Sequence, residues 1–101
     1  MILVYSTFPN RQSANKVIKI ALTKKAAACA NAWQVASTFV WQGNISKEKE
    51  WAVLFKTTKP KAARLKEIII SNHPYSAPAL LIWPAEVGQS DYEKWLYNCL
   101  K

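Results

Sequence analysis

Glycine is scarce in this chain, with two in 101 residues, Gly43 and Gly88. That excludes a collagen-like repeat, a Gly-rich linker and a Gly-rich phosphate loop. Histidine occurs once, at His73. With few carboxylates and no Ser-His-Asp or Cys-His order in view, nothing points to an enzyme. Cysteine occurs twice, as Cys29 and Cys99, which is no disulfide framework. Long apolar runs are absent too. The longest stretches, such as Ala77 to Ala85, contain prolines and are too short to span a bilayer. The opening Met1-Ile2-Leu3-Val4-Tyr5 has no basic leader and no small-residue cleavage site. We therefore expect no signal peptide and a cytoplasmic chain with both thiols reduced.

Half the residues are apolar and 20% are charged, a balance that excludes intrinsic disorder. The length suits a single domain, residues 1–101, with a small core. Fourteen basic residues against six acidic ones give a net charge of +8. Such a balance suits nucleic acid, an anionic surface or small anions, or serves solubility alone. Five tryptophans in so short a chain need burial or partners.

Residues Ile2 to Phe8 are apolar and β-prone, and Pro9-Asn10 ends the run. Asn10 can cap a helix whose buried stripe is Ala14, Val17, Ile18 and Ala21, ending in Lys24-Lys25. Cys29 to Gln42 reads as a long strand, Gly43-Asn44 as a hairpin turn, and Ile45 to Thr58 as a second long strand. Thr58 and Pro60 open a second helix, with Ala62, Leu65 and Ile69 on its buried face, stopping before Pro74. Ala79 to Trp83 is a short strand. Ser90 and Glu93 then form a Ser-x-x-Glu capping box before a third helix with Tyr92, Trp95, Leu96 and Cys99 on one stripe. The order β-α-β-β-α-β is that of the ferredoxin-like α+β fold, with an extra C-terminal helix.

Two features call for more than one subunit. Each hairpin arm has about 14 residues, or roughly 45 Å when straight, whereas a domain of this size is about 35 Å across. The hairpin must bend or overhang, and an overhanging edge invites pairing with another chain. Ile2-Leu3-Val4-Tyr5 and Leu80-Leu81-Ile82-Trp83 do not alternate, the pattern of strands covered on both faces. A ferredoxin-like sheet carries helices on one face only, so the simplest cover for the other is another copy.

Several segments are more specific. Ala27-Ala28-Cys29-Ala30-Asn31 follows the first helix, and Phe39-Val40-Trp41-Gln42-Gly43-Asn44-Ile45 spans the turn. Leu54-Phe55-Lys56-Thr57-Thr58 ends the third strand, His73-Pro74-Tyr75-Ser76-Ala77-Pro78 precedes the fourth, and Tyr92-x-x-Trp95 lies in the last helix. In this order and spacing the chain resembles the CutA family, the divalent-cation tolerance proteins. The resemblance implies a compact homotrimer with an architecture shared with the PII signalling proteins, and an association with metal, chiefly copper, tolerance. It carries no agreed enzymatic reaction.

The copper site of some bacterial members uses a Cys at the end of the first strand and a His-His pair before Pro-Tyr. The matching positions here are Ser6, Asn72 and His73, so His73 alone is retained as a metal candidate. A hydroxyl and an amide are poor substitutes for thiolate and imidazole toward soft metals, so Cu(II) or another divalent cation is expected to bind weakly. His73 can equally serve by hydrogen-bonding backbone at the helix exit. Cys29, in an Ala-rich setting, and Cys99, on a helical stripe, read as buried structural thiols. Ser76 and Ala79 stand where the family often has carboxylates, which weakens a cation site there.

The candidate ligand-binding residues are Glu50, Lys56, Tyr75 and Trp95. Glu48 and Glu50 share a strand face, about 7 Å apart, with Lys47 and Lys49 on the other. A solvated strand of mixed charge explains them equally well. Lys56 stands near the start of the second helix, where an anion is favoured, or it forms a surface salt bridge. Trp41, Trp51 and Trp95 belong to core or interface more naturally than to a stacking surface. The first expectation is thus a non-enzymatic, homotrimeric metal-response module. A PII-like sensor of an anionic small ligand, held between subunits, comes second. A basic nucleic-acid-binding domain is third, although Trp51-Ala52-Val53-Leu54-Phe55 lacks the RNA-recognition signature and the lysines cluster on the helices.

Overall fold

The computed structural model describes residues 1–101. Seven elements follow in the order β1 (Ile2–Phe8), α1 (Arg11–Thr23), β2 (Cys29–Trp41), β3 (Asn44–Thr57), α2 (Lys59–Asn72), β4 (Leu81–Pro84) and α3 (Ser90–Cys99). The four strands form one antiparallel sheet, β2-β3-β1-β4, as the ferredoxin-like order requires.

Strand alternation divides the residues between two faces. Val4 and Phe8 of β1 share the helix face with Val53 and Phe55 of β3. There they meet Ala14, Val17 and Ala21 of α1 and Leu65 and Ile69 of α2, all fully buried. Burying one of these valine, leucine, isoleucine or phenylalanine side chains stabilises the fold by about 1.5–3 kcal/mol. The intervening residues of β3, Glu48, Glu50, Ala52, Leu54 and Lys56, take the other parity.

The helix ends are built locally. Asn10 caps α1, its Oδ1 accepting from the Ser13 N–H at 2.8 Å. The stop at Lys24-Lys25 owes more to backbone than to charge. Lys25 takes the left-handed conformation at φ 55°, and the Ala26 and Lys25 N–H groups donate to the carbonyls of Ala21 and Leu22. That is a Schellman motif, here without glycine. At α3 the expected capping box does not form. Ser90 is already helical, and Gln89 is the cap, with its Oε1 accepting from the Asp91 N–H at 2.6 Å.

The hairpin turn also differs by one residue from the expected Gly43-Asn44. Trp41 pairs with Asn44, leaving Gln42 and Gly43 as a two-residue loop with φ of 49° and 80°. Positive φ at both positions matches the right-handed strand twist. Beyond β1 the hairpin continues alone. Ala36–Trp41 and Asn44–Lys49 pair only with each other, and the chain measures 46 × 26 × 20 Å. The overhang, rather than a sharp bend, accommodates the strand length.

β4 begins at Leu81, two residues later than expected, and pairs only with β1. Leu81, Ile82 and Trp83 are exposed in the single chain, so its apolar run is not covered from within. Cys29 and Cys99, expected to be buried, are half-buried free thiols. Cys29 opens β2, the edge strand, which has no neighbour on its outer side. No helix is long and apolar enough to cross a membrane.

Candidate functional site

A cleft of about 580 Å³ lies between the hairpin and the segment 74–79. Phe39 and Trp41 of β2, Ser46, Glu48 and Glu50 of β3, and Thr7 of β1 line it on one side. Pro74, Tyr75, Ser76, Ala77 and Ala79 line it on the other. The chain leaves α2 at His73, extended with ψ 136°, because Pro74 disfavours helix there. Ser6 holds its far end. The Ser6 hydroxyl is fully buried and donates to the Ala79 carbonyl at 2.7 Å.

A chain of hydrogen bonds fixes Tyr75 at the inner end. The Tyr75 N–H donates to His73 Nδ1 at 3.1 Å. This places the ring proton on Nε2, which donates to the Thr7 carbonyl at 2.8 Å. The imidazole stacks on Phe8, with ring centroids 4.3 Å apart. The Tyr75 hydroxyl then donates to Glu50 Oε2 at 2.9 Å. Glu50 is buried, at 9% exposure, and Tyr75 is the one donor it receives from the chain.

Burial lowers the His73 pKa from its ordinary value, against the opposing influence of the Thr7 carbonyl and the Glu50 charge. The ring is therefore neutral at physiological pH. Burial also raises the Tyr75 phenol, helped by its hydrogen bond to Glu50 and the charges of Glu50 and Glu48, to about 12. Tyr75 is a firm donor and not a base.

The five expected site residues fall into two groups. Glu50 and Tyr75 meet at the cleft, and His73 supports Tyr75 from outside its lining. Lys56, on the same face of β3 but three pleat repeats away, donates instead to the Tyr92 hydroxyl at 3.1 Å. Neither the anion nor the salt bridge expected for it is its partner. Lys56 thus ties α3 to the sheet, while Trp95, exposed, stacks on Tyr92 within α3, with centroids 5.5 Å apart, and lies away from the cleft. The Lys56 pKa is raised, first by that hydrogen bond.

Both nitrogens of His73 are occupied, and the Asn72 amide donates to the Ile68 carbonyl at 2.9 Å. No three His, Cys, Asp or Glu side chains gather anywhere in the chain. Phe39 and Trp41 share one parity of β2, but nothing local marks them as site residues, because the segment that faces them comes from much later in the chain.

The whole chain can be set against known proteins. The family model for the CutA1 divalent ion tolerance protein matches residues 2–99. The divalent-cation tolerance protein CutA of Thermotoga maritima is 43% identical over 96 residues, 95% of each chain. Its counterpart from Pyrococcus horikoshii is 40% identical over 96 residues, 95% of this chain and 94% of the other. The crystal structure of CutA1 from Pyrococcus horikoshii superposes with a TM-score of 0.94 at 39% identity, covering 100% of this chain and 99% of that one. The structure described as the periplasmic divalent cation tolerance protein CutA from Archaeoglobus fulgidus gives 0.94 at 30% identity, with full coverage of both chains. Sequence, fold and coverage agree, and the chain belongs to the CutA family of divalent-cation tolerance proteins.

Proposed function

We propose that the protein works in divalent-cation tolerance as a cytoplasmic, non-enzymatic homotrimer, with the cleft at Glu50 and Tyr75 as its ligand site. One observation carries the cleft assignment. Glu50 is a buried carboxylate whose donor from the chain is the neutral Tyr75 hydroxyl, at the wall of an open cavity. Buried charges are normally paired, and this one faces space where a cationic group fits. The carboxylates of Glu48 and Glu50 set the sign of the cleft against an anionic ligand.

The trimer rests on apolar surface that one chain leaves open. Val40 and Ile45 on the overhang, and Leu81, Ile82 and Trp83 on β4, are exposed large side chains. An edge strand beside such surface favours cover by another copy. Metal contact at His73 is weak in this reading, because Cu(II) must displace one of its two hydrogen bonds.

Native mass spectrometry of the purified protein tests the assembly and reveals any retained metal or small ligand. A trimer supports the reading, and a monomer at submicromolar concentration overturns it. Calorimetry with Cu(II) should show weak binding that His73→Ala removes. Tight binding that survives that substitution would refute the assignment.

A further inference from the structure

The chemistry of the cleft selects among cations. Glu48 and Glu50 are two of the six acidic residues in a chain of net charge +8, and both line one cavity. Lys47 and Lys49 have the opposite parity on β3, so the strand presents its negative side chains there and its positive ones away. The aromatic residues Phe39, Trp41 and Tyr75 complete the walls.

A bare hard metal ion fits this arrangement poorly. Such ions take six or more oxygen ligands, and Mg²⁺ and Ca²⁺ gain little from aromatic walls. Here Glu50 has already given one oxygen to Tyr75, and no third carboxylate, His or Cys joins the pair. The volume, about 580 Å³, falls in the range of small-molecule sites and far exceeds one ion. An alkylammonium suits each feature. Its N–H groups donate to the free oxygen of Glu50, its methylenes cover the rings, and its charge is attracted by their faces.

We propose that the cleft between the hairpin and the segment 74–79 binds a primary alkylammonium group of a small organic amine, with Glu50 as its anchor and Phe39, Trp41 and Tyr75 as its apolar walls. The Tyr75 hydroxyl orients the carboxylate, and the His73–Thr7 hydrogen bond holds Tyr75 in place. Glu48 adds a second negative charge one pleat repeat nearer the turn, so a short diamine can engage both. This inference rests on the cleft being the ligand site.

The experiment is calorimetric titration of the intact protein with n-butylammonium and with 1,4-diaminobutane, with 1-butanol as the neutral counterpart. Both amines should bind saturably, the diamine more tightly, and butanol should show no saturable heat. Glu50→Gln keeps an acceptor for Tyr75 but removes the charge. It should weaken amine binding roughly ten- to a hundredfold, the worth of a charge-assisted hydrogen bond. Glu48→Gln should weaken the diamine more than the monoamine. Circular dichroism of each variant checks its fold, and Glu48→Gln, on an exposed side chain, provides a readout should Glu50→Gln fail to fold. Amine binding that is absent, or unchanged in the variants, overturns the proposal. If Mg²⁺ or Cu(II) binds in a Glu50-dependent way while the amines do not, the alkylammonium assignment falls and the cleft remains a ligand site. If neither metal nor amine binds, the cleft reading falls with it.

Discussion

The Tyr75 hydroxyl donates to Glu50 Oε2 at 2.9 Å, joining residues 25 apart in sequence across the inner end of the cleft. The bond gives a buried carboxylate a neutral partner and fixes the segment after α2 against the hairpin. Tyr75→Phe leaves the same ring but no donor. It should destabilise the fold by about 1–3 kcal/mol, because Glu50 then lacks its donor. Urea unfolding of Tyr75→Phe, Glu50→Gln and the double variant measures this. The two losses should be non-additive, since the residues share one interaction.

The only histidine makes a clean pH probe. Burial lowers the His73 pKa below its ordinary value of 6.5. Between those two values the unfolded chain binds the proton and the folded chain does not, so stability rises with pH there. The contribution is present above the unfolded value and is lost as pH falls through the window. Thr7, Phe8, Tyr75 and Glu50 face the ring, and the Glu50 charge opposes the shift. Urea midpoints of wild type and His73→Gln from neutral pH downward should diverge in slope below about 6.5. Parallel curves would show that the folded state does not disfavour the imidazolium.

Ser6 is fully buried on β1, and its hydroxyl serves the Ala79 carbonyl. Ser6→Ala should cost about 1–3 kcal/mol by leaving that carbonyl without its donor. Hydrogen exchange across residues 74–80 should quicken in the same variant, because the bond pins that segment to β1.

Assembly should depend on β4. Leu81 of the edge strand pairs with Tyr5, on the sheet face away from the helices, and is exposed in the single chain. Leu81→Lys places a charge where an apolar contact between copies is expected. Sedimentation equilibrium should show a trimer for wild type and smaller species for the variant. An unchanged trimer would place the interface elsewhere.

Much of the architecture was legible because it is local. The stripe Ala14, Val17 and Ala21 marked the buried face of α1, and Asn10 marked its start. Parity assigned Val53 and Phe55 to one face of β3 and Glu50 and Lys56 to the other, and the structure agrees. Local signals erred where two neighbouring choices were chemically close. Gln42-Gly43 forms the turn instead of Gly43-Asn44 because strand pairing sets the loop. Gln89 takes the place of Ser90 as the cap because the helix already starts at Ser90, and the Gln89 side chain reaches forward to the Asp91 N–H.

The amino-acid order by itself determined the elements, their faces and the family, since periodicity, caps and motif spacing act over a few residues or in fixed register. Parity states which face a side chain takes, but not what crosses that face at its position. Only the tertiary structure decided that Tyr75 ends at Glu50 and Tyr92 at Lys56, giving residues on one strand face separate partners. It also brought His73 to the Thr7 carbonyl, 66 residues away in sequence. Such contacts depend on where distant segments are carried by the packing of α2 and α3, which is a property of the whole core and of no local stretch.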